Sequence, residues 1–321
     1  FRRVLFRSAL SPIAFANNVR MAFLNGAGFI AVVRRWDAIF NLLSIASSIL
    51  VVQRGFGLVG LVVANQFWFC INSIRLRAIL RRCLPRDVLK ARINFVDARR
   101  VFSSIWPSSW RSGAGSLLYT AAQESSGLIY ARFGSEKSLA TYLLGLQVLR
   151  VVRASSMAPL YTKLPTLAKL NAEGKVADMM ETAGTGMKRA YWTFVIGAAG
   201  AGIAGPWLLH EIGSSTFFPS GWLWCAMVAA AFLERFGGMH QNVLIAANHV
   251  VTHKASAGFL LIYIVAMAVL ARPMGVYAFP LAMLIGHASF FSWYSGYHGY
   301  QMLESGFFKF ESRCFLPALA A

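Results

Sequence analysis

Charge is scarce in this chain. Only 13% of its 321 residues are Asp, Glu, Lys or Arg, about half the share of an ordinary soluble domain. Too few polar side chains remain to solvate a soluble body of this length, which excludes a water-soluble enzyme, a disordered chain and a coiled coil. Acids are scarcer still, twelve against thirty-one basic residues, so paired-carboxylate catalysis has little to build on. Cysteine is limited to Cys70, Cys83, Cys225 and Cys314. None of these has CxxC or other metal-ligand spacing, so neither a disulfide framework nor a metal site is implied. Cys70 and Cys225 sit in apolar runs and read as small hydrophobes. No HExxH, GxSxG or P-loop occurs, and nothing in the chain asks for a cofactor.

Apolar length is what the chain has instead. Hydrophobic residues make up 57% of it and aromatics 14%. Long apolar segments occur near 37–52, 56–74, 106–131, 138–161, 190–209, 218–247, 256–271 and 275–298. They are long enough for membrane helices and too long, without alternation, for barrel strands. The expected fold is an all-α polytopic membrane protein. Residues 9–33 read as the tail of an earlier span and a juxtamembrane helix.

The chain opens at Phe1 with FRRVLFRS (residues 1–8), which resembles the read-through of a sequencing adapter and reads as a fusion scar. Leaving out Arg2, Arg3 and Arg7 reduces the net charge from +19 to +16. That surplus would suggest nucleic acid in a soluble protein. Against this apolar background it suggests cytoplasmic loops. With Arg34 and Arg35 inside, nineteen basic residues fall in the inward connections and four (Arg54, Arg132, Lys137 and Arg272) in the outward ones. The expected topology therefore places the C-terminus in the cytoplasm. The stretch 75–100, with nine Lys or Arg from Arg75 to Arg100, reads as a basic loop lying on anionic lipid.

Other motifs lose their chemical meaning in context. Gly200, Gly202 and Gly205 form GxGxxG, but no strand precedes them. Gly197, Ala201 and Gly205, at spacing four, read better as a close helix-packing face. His249 and His253 share a helix face, yet no acid or Cys flanks them at ligand spacing.

Polarity inside the spans is more informative, because each such group is costly in lipid. At 100° per residue, Ser109, Ser112, Ser116, Thr120, Gln123 and Gly127 fall within about 80° of arc, and Glu124 borders them. Such a face either lines a hydrated cavity or forms a small-residue helix seam. The next span carries Gln147, Arg150 and Arg153 at three-residue spacing. Arg150 lies twelve residues past Ser138, about 18 Å along a helix, which is mid-membrane depth. Glu234 and Arg235 sit midway along 218–247, with Gln241 near the same face as Glu234. These groups form either an internal Arg–Glu pair, such as Arg150 with Glu234, or a cationic water-filled lumen, and the two can coexist.

The segments WPSSWRSG (106–113), QESSGLIYARFGS (123–135), ATYLLGLQVLRVV (140–152) and MAPLYTKLPTLAKLNAEGK (157–175) carry a family likeness, as does RMAFLNGAGFIAVVRR (20–35) upstream. Together they resemble polysaccharide flippases of the Wzx type, in the multidrug, oligosaccharidyl-lipid and polysaccharide (MOP) transporter superfamily. The likeness is spread over most of residues 20–300 as loose patterns. It implies the MATE-like fold of two six-helix lobes working by alternating access. Residues 9–77 would hold helices five and six of a largely missing first lobe, 78–104 a basic inter-lobe linker, 105–300 the second lobe, and 301–321 a cytoplasmic tail.

The resemblance also implies the substrate, an undecaprenyl-diphosphate-linked oligosaccharide carried across the bacterial inner membrane, with glycosyltransferases or a polymerase as pathway partners. Arg150 and Arg153 would meet the diphosphate, since guanidinium binds phosphate bidentately. Gln147 and Gln123 would contact sugar, with Glu124, Glu234, Arg235 and Gln241 lining the same lumen. Such a protein is a transporter and not an enzyme. A multidrug or cation exporter of the same superfamily is the rival, but it would want an acidic pocket. A membrane polymerase or ligase would want a sizeable outer loop, and the longest, 210–217, offers only His210 and Glu211. A lipid II flippase would usually carry extra helices after the twelfth.

Overall fold

A computed structural model describes residues 11–83, 94–131 and 135–319. The proposed scar, the middle of the basic stretch (84–93) and the turn with Arg132 lie outside them. Every element among the described residues is helical, and none is a strand. The chain divides after Ala98 into two units.

In the first unit, α1 (Ser11–Gly26), α2 (Ile30–Gln53) and α3 (Gly57–Cys83) pack on one another. Leu24, Val33, Leu76 and Ile79 form a small buried cluster. Arg75 departs from its expected place in a basic loop. It lies within α3, buried, paired with Asp37 and 4.9 Å from the Phe40 ring. Local pattern gave no reason to separate it from the arginines that follow, because its partner is 38 residues away. α3 continues to Cys83 and the next helix starts at Phe95, so helix enters the expected 78–104 linker from both ends.

The second unit contains α4 (Phe95–Tyr130, whose first turn precedes the division), α5 (Glu136–Ser156), the short α6 (Ala158–Tyr161), α7 (Leu164–Ala172), α8 (Val176–Glu211), α9 (Gly221–Ala246) and α10 (Thr252–Met274). A 3₁₀ turn at Gly275–Tyr277 leads to α11 (Ala278–Gly286). A π-helical turn at His287–Phe291 joins that to α12 (Ser292–Met302), and α13 (Phe307–Glu311) and α14 (Leu316–Leu319) follow.

The helix ends follow from local chemistry. Ser135 caps α5, its hydroxyl accepting from the Ser138 amide at 3.3 Å, as Ser does well at that position. α7 ends in a Schellman turn: Lys175 N–H reaches the Leu170 carbonyl and Gly174 N–H the Asn171 carbonyl, at 3.0 and 3.1 Å. Gly174 supplies the positive φ of +70° that this turn requires.

Three helical runs, Val59–Cys83, Val176–Glu211 and Thr252–Met302, are long and apolar enough to cross a membrane. All eight expected spans fall on helix, but length and composition single out these three. The outward side chains agree with them. Ile196, Ile203 and Trp207 on α8, and Leu261, Val265 and Val269 on α10, are all more than half exposed. A water-facing surface does not carry such continuous apolar stripes. The chain is thus all-α and of membrane character.

Lipid is as apolar as leucine, so helices in it are held by close packing and polar contacts. The glycines serve that packing. A Cβ at Gly145 of α5 would stand 2.6 Å from Pro219, and one at Gly205 of α8 would stand 2.4 Å from Phe218. The would-be dinucleotide glycines, Gly202 and Gly205, lie against Trp224 and Phe218, and Gly197 lies against Val152.

The segment after Met302, expected as a tail, is docked. Phe310, Glu311, Cys314, Phe315 and Ala318 are all buried. Glu311 Oε1 accepts from the Tyr300 hydroxyl at 2.8 Å and lies 2.9 Å from His240 Nε2, with the Glu311 and His240 side chains fully buried. The Cys314 thiol donates to the Gly184 carbonyl at 3.4 Å. Burial pushes that thiol up to about 12, so it stays protonated as the donor it needs to be.

Candidate functional site

A cavity of about 540 Å³ opens within the second unit between α4, α5, α9 and α11. Its chemistry comes from one face of α4, one face of α5 and a single acid of α9. On α4, Gln123, Glu124 and Gly127 face it; on α5, Gln147, Arg150 and Arg153; on α9, Glu234. Leu139, Tyr142, Leu143, Met227 and Met283 supply the apolar wall. Close approach of α4 and α5 depends on Gly127, where a Cβ would stand 2.9 Å from Leu143.

The charges form two tiers. In the inner tier, Arg153 Nη2 pairs with Glu234 Oε1, the two side chains 25% and 16% exposed. Further contacts brace this pair. In the amide orientation that satisfies both neighbours, Gln123 Oε1 accepts from Arg153 Nη2 at 2.8 Å and from the Tyr119 hydroxyl at 2.5 Å. Tyr119 stacks on Phe291 with ring centroids 5.5 Å apart. Arg235 turns away from the cavity. Its Nη2 donates to the Arg153 carbonyl at 2.7 Å, and its guanidinium lies 5.6 Å from the Phe194 ring. Arg235 therefore holds the α5 backbone at Arg153.

The outer tier is open. Arg150 Nη2 meets Glu124 Oε1 at 2.8 Å, with the side chains 60% and 58% exposed. Gln147 Oε1 is 3.5 Å from Arg150 Nη1, at the limit of a hydrogen bond. Arg150 thus presents most of its donor fork to the cavity.

Of the eight candidate site residues, the structure brings six to this cavity. Arg235 and Gln241 do not line it; Gln241 donates to Ser295 Oγ at 3.0 Å, tying α9 to α12. The expected Arg–Glu pair exists, but its arginine is Arg153 and not Arg150. The polar stripe of α4 divides: Gln123 and Gly127 face the cavity, while Ser109, Ser116 and Thr120 are exposed. His249 and His253 do not converge, since His249 lies beside His298 and His253 beside Trp110. Among the described residues, no cluster of three His, Cys, Asp or Glu could hold a metal.

Sequence reading passed over two residues. Tyr119 is one turn before Gln123 on the same face. His287 lines the cavity, stacked on Phe259 at 4.4 Å with its Nδ1 unpartnered among the described residues. The rule that flagged Gln147, polarity inside an apolar span, would also have flagged His287. No family model, curated protein or solved structure matches this chain.

Proposed function

We propose that the chain belongs to a MATE-like flippase that moves an undecaprenyl-diphosphate-linked oligosaccharide across the bacterial inner membrane by alternating access. The observation that carries this reading is Arg150: a guanidinium on α5, 60% exposed, lining a cavity that Gln123 and Gln147 also line, at a position twelve residues into the expected span, which sequence spacing puts near mid-membrane depth. A cation in such a place is expensive unless it meets a partner. A planar donor fork suits phosphate oxygens, and Gln147 and Gln123 offer amides suited to sugar hydroxyls. Arg153, neutralised by Glu234, positions the inner wall. Glycosyltransferases or a polymerase would act before or after it in the same pathway. The topology follows the positive-inside distribution, with the C-terminal segment cytoplasmic.

Purified chain in neutral-lipid nanodiscs is expected to bind undecaprenyl diphosphate, and Arg150→Gln to weaken that binding by about ten- to a hundredfold, as loss of charged hydrogen bonds implies. Binding of phosphate-free undecaprenol should be unchanged. Equal affinity of both proteins for the diphosphate would remove Arg150 from the site.

One observation favours the exporter instead: Glu124 is a carboxylate 58% exposed in the same cavity, able to hold a lipophilic cation. Under that reading ethidium binds, Glu124→Gln abolishes its binding, and undecaprenyl diphosphate does not compete.

A further inference from the structure

The two ion pairs of the cavity differ in kind. The inner pair is largely buried and braced by Gln123, Tyr119 and Arg235. The outer pair has one contact between one Nη and one Oε, and both side chains are more than half exposed. Exposed pairs of this sort contribute little to stability, so Glu124 is poorly explained as a structural partner. Its position is that of a ligand. A carboxylate oxygen 2.8 Å from a guanidinium nitrogen stands where a phosphate oxygen would stand, because Arg binds both anions through the same donor fork. Glu124 belongs to α4 and Arg150 to α5, so the carboxylate can swing aside on its own side chain without separating the two helices.

The geometry points to Glu124 as a built-in competitor: it occupies the anion site of Arg150 in the ligand-free cavity, and an anionic ligand binds by displacing it. This inference rests on the reading of Arg150 as the ligand-facing cation. It assigns Glu124 a role in specificity. A monoanion would gain from Arg150 no more than Glu124 already supplies. A diphosphate brings more negative charge and a second set of oxygens, so it wins the exchange. The cavity thereby discriminates against singly charged lipids, which are abundant in any membrane. The displaced carboxylate remains within the cavity as a hydrogen-bond acceptor for hydroxyl groups.

The test uses the full chain in neutral-lipid nanodiscs, with farnesyl diphosphate and the methyl ester of farnesyl monophosphate as probes, two amphiphiles that share a tail, the second a phosphodiester and so a monoanion at neutral pH. Wild type is expected to prefer the diphosphate. Glu124→Gln should tighten binding of both by about fivefold, the upper end for loss of an exposed competing pair. The phosphodiester should gain at least as much as the diphosphate. Glu124→Ala should act in the same direction, and neither change should move the melting temperature by more than a few degrees. Adding Arg150→Gln should erase the gain. If wild type binds the diphosphate and Arg150→Gln weakens it, but Glu124→Gln leaves the affinity unchanged or reduces it, the competitor role is overturned while the anion site stands. If neither wild type nor Glu124→Gln binds either probe, the anion site itself is wrong and the competitor role falls with it.

Discussion

Replacing Arg153 with methionine is expected to destabilise the protein by about 3 kcal/mol, among the larger losses a single substitution can give. Its partner Glu234 is only 16% exposed. Removing the arginine leaves that carboxylate with no ion-pair partner in direct contact, since Arg235 Nη2 is engaged with the Arg153 carbonyl and its guanidinium lies against the Phe194 ring. Breaking a buried pair from one side is costly; removing both charges is often nearly neutral. Arg153→Met combined with Glu234→Gln should therefore recover most of the loss. Thermal unfolding in detergent, followed by the monodisperse fraction after heating, reads both. A single variant as stable as wild type, or a double variant worse than the single, would mean that the inner pair does not act as a unit. The same measurement separates the tiers. Arg150→Met should cost well under 1 kcal/mol, because the pair is open, with its partner Glu124 58% exposed.

This contrast bears on what the sequence could reveal. The apolar runs were legible as helices because the bilayer imposes a length, and the structure lays helix over each of them. The cavity was legible through a single rule, that a polar group inside an apolar run must face something. The rule picked out Gln123, Glu124, Gln147, Arg150, Arg153 and Glu234, all of which line the cavity. It could not pair them. Arg150 and Arg153 are one turn apart on α5, and choosing between them needs the axial offset of α5 against α9, which no spacing within either helix records. Nor could it separate Glu234 from Arg235. Adjacent residues diverge by 100° on a helix, which sends one into the cavity and the other to the back of Arg153. The serines of the α4 stripe failed for another reason. They share an angular face with Gln123, but the cavity ends along the helix axis before reaching them.

Docking of the C-terminal segment was the largest feature hidden from sequence, and it is expected to be essential to the stability of the second unit. Glu311 is fully buried, and so is His240. Glu311→Leu leaves His240 Nε2 and the Tyr300 hydroxyl without the acceptor they share. The His240 ring cannot shift to find another partner on that side, because it lies against Gly299, where even a Cβ would come within 2.4 Å of Nδ1. Two stranded polar groups at about 1–3 kcal/mol each put the expected loss near 3 kcal/mol. Glu311→Gln keeps an acceptor for both groups and should cost about half as much. A chain ending at Leu303 should lose more than either, because buried Phe315 leaves Tyr191 of α8 and Phe232 and Phe236 of α9, and buried Phe310 leaves His240. Melting temperatures should thus fall in the order wild type, Glu311→Gln, Glu311→Leu, truncation. Amide hydrogen exchange gives an independent reading: Phe310 and Phe315 should be protected in wild type, and Glu311→Leu should remove that protection before it affects α5. Rapid exchange at Phe310 and Phe315 in wild type, or a truncated chain that melts with the intact one, would show that the segment is not part of the packed unit.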